Sequence, residues 1–234
     1  MKKFLWGILT VIVIAGIGFG VWGYVEANKI KQDWENINRL IGETMVFEPI
    51  DQNQDILNLD GWEMLHERAP ELLSELQNYD IASVSLKEKL NEYYGPQAQD
   101  RYKEAQYLQF LNEAQGSLDL KSTQPKSKGQ IETIAKYYDD LIISGDDLSL
   151  GPKFDDSRHK VEKEAETFRE NLNDIVVQMN NESPPVRLRT ADLDKAIDEL
   201  KQEIIQSLND WVDLQNEIKD EIANINRAAW VIPF

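Results

Sequence analysis

The sequence contains no cysteine among its 234 residues. Disulfide frameworks, thiolate metal sites and cysteine nucleophiles are therefore excluded. The sequence also lacks the glycine-rich loops of nucleotide-binding proteins, the Gly-x-Ser-x-Gly elbow of serine hydrolases and the His-Glu-x-x-His helix of zinc proteases. With none of these motifs present, the sequence predicts a protein that is not an enzyme and has no cofactor site.

Basic residues are scarce as well. The chain has 25 Lys and Arg against 42 Asp and Glu, which gives a formal net charge of -17. Nucleic acids and anionic lipid surfaces both favour basic patches on the proteins that bind them, so neither is predicted as a partner. Acidic side chains at this density keep a domain soluble.

One long uncharged run dominates the N-terminal region. Residues 4–25, FLWGILTVIVIAGIGFGVWGYV, directly follow Lys2 and Lys3. As a helix, these 22 residues would be about 33 Å long, enough to cross a hydrocarbon core of about 30 Å. We therefore predict that residues 4–25 form a transmembrane helix that holds the protein in the lipid bilayer.

A cleaved signal peptide is the alternative for the same run, because Val25–Ala27 offers small residues at a suitable spacing. The apolar core of a signal peptide is usually about 7–15 residues, and this run is longer. Trp6 near one end, and Trp22 and Tyr24 near the other, match the aromatic belts of the two membrane interfaces. The pattern favours an uncleaved anchor.

The distribution of lysines around this run bears on its orientation. The basic residues of the short tail 1–3 favour a cytoplasmic N-terminus. Lys29, Lys31 and Arg39 follow the run and lie within or near the flanking segment whose basic residues also influence orientation, and they favour the opposite orientation. We predict a single-pass protein of the cell membrane whose main domain is extracytoplasmic. A Gly-x-x-x-Gly pair inside the run would allow two such helices to associate closely.

Helical periodicity dominates the rest of the chain. Apolar residues recur in steps of three and four through residues 26–48, which predicts a helix that continues from the anchor and ends before Pro49. Residues 49–229 show further stripes of this kind and no sustained period-two alternation, so they predict a helical bundle domain. Pro70 interrupts one stripe and predicts a kink near Arg68 or a restart of the helix. The stripes include Trp34, Ile37 and Ile41; Trp62, Leu65, Ala69, Leu72 and Leu76; Leu86, Leu90 and Tyr93; Tyr102, Tyr107, Phe110, Leu111 and Ala114; and Ile131, Ile134 and Tyr138.

Two long helices are predicted in the C-terminal third. The first shows a near-perfect heptad pattern from Phe154 to Met179, and the second begins near Thr190, a favoured N-cap residue, and continues to Ile225. The link between them is short and contains Pro184–Pro185, so the pair predicts a long antiparallel hairpin. The predicted fold class is all-α: one N-terminal transmembrane helix followed by an elongated antiparallel bundle with coiled-coil-like packing.

The loop after the first predicted helix contains a partial calcium-ligand pattern. Asp51, Asn53 and Asp55 place oxygen ligands at alternate positions, as in the first half of an EF-hand loop. The match then fails, because Ile56 stands where glycine allows the turn and Trp62 stands where a bidentate Glu is needed. An ordinary solvated loop is the prediction.

The only two histidines suggest a second metal pattern. His66 and His159 each have a carboxylate three residues earlier, at Glu63 and Asp156. Two such pairs on two helices form part of the carboxylate-bridged di-iron pattern. In so acidic a chain this spacing arises easily by chance, and both pairs lie beside the core stripes rather than on them. We therefore predict no metal site.

The chain ends in an apolar tail, residues 230–234, for which packing back onto the bundle is favoured over contact with a partner or the membrane interface. Two classes of function remain. The favoured one is a membrane-anchored envelope scaffold or protein-interaction module, with a protein partner or self-association. The alternative is an extracytoplasmic small-ligand-binding or sensor-like bundle without an output domain, whose aromatic residues line a pocket. The stripe positions of Trp34, Tyr138, Phe168 and Trp211 favour a plain core role for them.

Overall fold

The computed structural model describes residues 34–39, 41–42, 44–51, 57–79, 81, 83–117, 124–136 and 150–229. The predicted transmembrane helix 4–25 and the tail 230–234 lie outside these residues. Within them the chain is all-helical, as the periodicity predicted, and the only strand-like pairing is an isolated antiparallel bridge between Lys126 and Val186. The helices in chain order are α1 (helical residues 34–39, 41–42 and 44), α2 (Leu59–Leu76), α3 (Val84–Tyr93), α4 (Gln97–Ser117), α5 (128–136), α6 (Asp155–Gln178), which follows a 3-10 turn at Pro152–Phe154, and α7 (Ala191–Ala229).

Helix α7 is the axis of the bundle. It has 39 residues, which corresponds to a length of about 58 Å. Helices α3, α4 and α6 pack directly on it, whereas α2 packs on α4. A helix whose apolar residues occupy only heptad positions a and d packs against one neighbouring helix. Helix α7 also buries adjacent pairs of apolar residues, and this wider apolar stripe lets several helices pack around it. These pairs are Ala196 with Ile197, Ile204 with Ile205, and Trp211 with Val212.

The predicted hairpin of the last two helices is present. The Ser157 hydroxyl of α6 donates to Glu203 of α7 at 2.6 Å, and Lys160 one turn later pairs with Glu199, so the two helices run in opposite directions. The heptad residues of α6 face the core, with Phe168 4 % exposed and Leu172 fully buried. The last helical residue of α6 is Gln178, one residue before Met179, where the predicted heptad pattern ends.

Two carboxylates of α7 hold helix α3: Glu217 lies 3.0 Å from Lys89 Nζ, and Glu221 gathers three side chains at the start of α3. Ser83 caps α3 by accepting the Leu86 N–H at 3.2 Å, and its hydroxyl also donates to Glu221. Ser85 donates to the same carboxylate at 3.1 Å, and Lys89 lies 3.6 Å from it. The hydrogen bond from Ser83 lowers the pKa of Glu221 most, and the hydrogen bond from Ser85 lowers it further. This contact therefore stabilises the fold at neutral pH and weakens as the pH falls towards the carboxylate range.

The helix predicted over residues 26–48 ends earlier in the structure. Its described part is helical to residue 44, and residues 45–50 are non-helical. Ile37 and Ile41 are 2 % and 4 % exposed, so α1 belongs to the same core as the domain predicted from residue 49 onward. Helix α1 is thus built into the bundle rather than placed beside it.

Two amide side chains of α7 explain how residues 45–50 can leave the helical conformation. The Phe47 N–H donates to Gln215 Oε1 at 3.0 Å, and Gln215 Nε2 donates back to the Phe47 carbonyl at 2.9 Å. Asn209 makes the same pair of bonds with Ile50, at 2.8 and 3.2 Å. Backbone groups that a helix would have paired internally are thereby satisfied by side chains. We call this arrangement the amide clasp.

Helix α2 passes through Pro70 without the restart that was one of the two predicted outcomes, since it is continuous from Leu59 to Leu76. Pro70 is exposed, so the hydrogen bond it removes lies on the side of the helix that faces water. The core stripe continues on the opposite side, with Leu65, Ala69 and Leu72 each 1 % exposed. Among the described helices, none is long and apolar enough to cross a bilayer.

Candidate functional site

An open cleft of about 780 Å³ lies between the start of α4, the 3-10 turn and the middle of α7. The three elements meet because Phe154 of the turn and Trp211 of α7 are both core residues, 2 % and 4 % exposed. Arg101 of α4 and Lys153 of the turn form the basic part of the lining. The other polar lining residues come mainly from one side of α7, namely Glu199, Gln202, Glu203, Gln206, Ser207 and Asp210.

A buried polar network forms the inner wall of this cleft. Glu104 is 1 % exposed, and its two carboxylate oxygens accept from Arg101 Nη1 at 2.8 and 2.7 Å. Lys153 Nζ lies 3.0 Å from one of these oxygens, and the Ser207 hydroxyl donates to the other at 2.7 Å. The guanidinium also lies 5.2 Å from the centre of the Trp211 ring, a cation–π distance. One carboxylate is therefore shared by two cations and a hydroxyl, and three separate elements meet at it.

The network contains a serine and a lysine in hydrogen-bond contact, Ser207 and Lys153. A serine–lysine pair becomes a nucleophile and a base only when the lysine is neutral. Lys153 is paired with Glu104 at 3.0 Å, and Ser207 donates its proton to the same carboxylate rather than to a base. This geometry binds α4, the turn and α7 together, and it does not activate the hydroxyl.

The rim of the cleft is acidic. Glu92, Glu203 and Asp210 line it, and none of the three has a basic partner within the described part of the chain. Glu199 differs, because a hydrogen bond from Lys160 lowers its pKa and holds it as a carboxylate. Such a rim attracts cationic groups and repels anions.

A pair of buried tyrosines lies at the junction of α1, α3 and α7. The Tyr94 hydroxyl is 2.6 Å from Thr44 Oγ1, and the Tyr93 hydroxyl donates to the Thr44 carbonyl at 3.4 Å. The Tyr93 ring stacks on Trp211 with centroids 4.9 Å apart. Burial raises the pKa of Tyr94 to about 12 and raises the pKa of Tyr93 well above its usual range.

We expect Tyr94 to remain neutral until the pH approaches about 12. Because its pKa is raised in the folded state, the stability that it contributes is complete below the unfolded value of about 10 and is lost as the pH rises through the folded value. Absorbance at 295 nm during an alkaline titration of the eight tyrosines measures this. The late phase should coincide with loss of helical circular dichroism and should lose amplitude in Tyr94→Phe, in which Tyr93 is left as the buried tyrosine of this pair. Ionisation of every tyrosine near pH 10 in a folded protein would contradict it.

The structure separates the two histidines of the partial di-iron pattern. His66 lies half-buried on α2 with its ring 5.3 Å from that of Tyr102, and His159 is exposed on α6, where its Nδ1 lies 2.6 Å from the Asp155 carbonyl. Within the described ranges, no group of three or more histidine, aspartate or glutamate residues could hold a metal ion. Of the partial calcium pattern only Asp51 is described, and it is exposed; Asn53 and Asp55 lie outside the described residues.

The residues of the network were not singled out from the sequence. Arg101 and Glu104 have the three-residue spacing of a helical ion pair, which is the one local signal they carry. Nothing in that spacing distinguishes a buried pair from a solvated one. No protein-family model matches the chain, and neither does any curated protein or solved structure. The arguments about function therefore rest on its own residues.

Proposed function

We propose that this chain is a membrane-anchored, non-enzymatic helical-bundle protein that acts outside the cytoplasm as an envelope scaffold or protein-interaction module. Residues 4–25 would cross the bilayer once with the N-terminus in the cytoplasm. The domain would be the elongated antiparallel bundle with coiled-coil-like packing that the heptads indicate.

The observation that carries this proposal is the position of α1 in the core. Residue 34 is separated from the end of the predicted span by only eight residues, 26–33, which would cover about 12 Å as a helix. Trp34 packs against the core and Ile37 is buried, so no more than these eight residues separate the proposed anchor from the bundle. A bundle attached by so short a segment would stay close to the membrane surface, as a scaffold or docking module requires.

A single engineered cysteine tests the location of the bundle. Asn181 is exposed in the turn between α6 and α7, and Asn181→Cys supplies the only thiol of the chain. We expect a membrane-impermeant maleimide to label intact cells and expect the protein to stay in the membrane fraction after alkaline carbonate extraction.

Protection of the thiol until the cells are lysed would place the bundle in the cytoplasm and overturn the orientation. Recovery of the protein in the soluble fraction would overturn the anchor. The unmodified chain, which has no thiol, is the control for background labelling.

The cleft favours a second candidate function, an extracytoplasmic ligand-binding bundle. Its volume of about 780 Å³ lies within the range of small-molecule sites. Its aromatic residues are not available as a stacking platform, because Trp211 and Phe154 are covered and contact Arg101 and Lys153, respectively. The acidic rim instead suits a small organic cation.

A further inference from the structure

Two stretches without acidic residues stand out in this acidic chain. No Asp or Glu occurs between Asp119 and Glu132, or between Glu182 and Asp192, although the whole chain contains 42. Their described parts contain four basic residues: Lys126, Lys128, Arg187 and Arg189.

The fold brings these two stretches together. Lys126 N–H donates to the Val186 carbonyl at 2.7 Å, and Val186 N–H donates back to the Lys126 carbonyl at 2.9 Å. This bridge lies where the α6–α7 hairpin turns, before the first residue of α7. We call the surface formed by residues 124–128, 184–189 and the last turn of α6 the basic tip.

The two arginines project from the tip on the same side. Val186 and Leu188 are partly buried and pack against the core, whereas Arg187 and Arg189 are exposed. This alternation is that of an extended chain, in which residues two apart point the same way at a separation of about 7 Å. Neither guanidinium has an ion-pair or hydrogen-bond partner among the described residues.

Exposed apolar residues lie at the same end of the α6–α7 hairpin as the arginines. Val177, on the last turn of α6, is 84 % exposed, the highest value among the exposed large hydrophobic residues of the described chain. Pro184 and Pro185 are also exposed. A purely electrostatic polyanion site needs only charge, whereas arginine next to exposed apolar side chains is typical of protein interfaces.

We propose that the basic tip is a docking surface for an acidic segment of a protein partner. Arginine guanidinium groups bind carboxylates in bidentate geometry, and Val177 and Pro184 supply the apolar contact. The remaining surface carries the excess negative charge of the chain and repels such a partner, so the partner approaches at this end.

A second copy of the chain is a poorer occupant. The carboxylates Glu203 and Asp210, which have no basic partner among the described residues, lie 12 and 19 residues along α7 from Ala191, or about 18 and 28 Å. If the proposed anchor holds two copies upright in one membrane, a tip and these carboxylates lie at different heights and do not meet. This exclusion rests on the proposed function; the docking surface itself does not.

The test uses the full chain in lipid nanodiscs and a fluorescein-labelled synthetic peptide with glutamate at alternate positions. Fluorescence anisotropy should show saturable binding that weakens with added salt. Arg187→Gln combined with Arg189→Gln should weaken binding about tenfold or more, and Val177→Ser should weaken it further. Lys163→Gln combined with Arg169→Gln removes the same charge from the exposed side of α6 and should leave binding unchanged.

Three outcomes overturn the proposal: absence of peptide binding by the unmodified chain, equal affinities of the two double variants, or equally strong binding of inorganic polyphosphate with no effect of Val177→Ser. These readouts are independent of the anchor. Failure of the anchor appears instead as protein that does not enter the nanodiscs, in which case the same peptide titration is done on the free chain.

Discussion

Replacing Glu104 with alanine is expected to lower the free energy of unfolding by about 3–5 kcal/mol. Glu104 is 1 % exposed and accepts hydrogen bonds from Arg101 and Ser207 while it pairs with Lys153. Its removal leaves the buried Arg101 guanidinium without a counter-charge, and an unpaired buried charge is costly. Urea unfolding followed by circular dichroism measures the loss.

The matched control is Glu113→Ala on the same helix. Glu113 is exposed and accepts only a 2.9 Å hydrogen bond from Gln109, so its loss should cost no more than about 0.5 kcal/mol. The double replacement Arg101→Met with Glu104→Leu should recover much of the stability lost in Glu104→Ala, because no buried charge is then left unpaired; Lys153 loses its partner but is exposed to water. Equal stability of Glu104→Ala and Glu113→Ala would contradict the structural role of the network.

Replacing Gln215 with alanine is expected to cost about 2–4 kcal/mol, the second largest effect. Gln215 is fully buried, and its amide satisfies both the N–H and the carbonyl of Phe47. Alanine fills none of this space and leaves a backbone donor and acceptor unpaired, each at a cost of about 1–3 kcal/mol. Residues 45–50 then lose half of the amide clasp.

Hydrogen exchange distinguishes this effect from general loss of core packing. In Gln215→Ala the Phe47 amide should exchange faster than in the unmodified chain, and faster relative to amides of α6. Asn209→Ala is the control within the clasp: it should release Ile50 at a smaller cost in stability, because Asn209 is half-buried. Uniform acceleration across the whole bundle, with no excess at Phe47, would contradict the clasp.

The helices themselves were predictable from the sequence. Five residues predicted for the α2 stripe, Trp62, Leu65, Ala69, Leu72 and Leu76, are the five buried residues of that helix. The hairpin break at Pro184–Pro185 was predictable for the same reason. Helical periodicity, glycine and proline act over a few residues, so a local stretch of sequence contains the whole signal.

The cleft and its network were not predictable. Glu104 and Ser207 are 103 residues apart, and Lys153 comes from a third element. In the sequence each is an ordinary polar residue on or near a helix, and one acid among 42 carries no information about burial. Their environment is set by which helices meet, which depends on the packing of all the stripes at once.

The all-helical class, the apolar faces and most helix ends follow from the order of the residues, because they depend on interactions between residues three to four positions apart. Three other features depend on how the helices pack: α7 is the common axis, the Gln215 amide takes the place of helical hydrogen bonds at Phe47, and two acid-free stretches form one basic tip. Each of these arises from contacts between distant parts of the chain, and such contacts leave no periodic signal in the sequence.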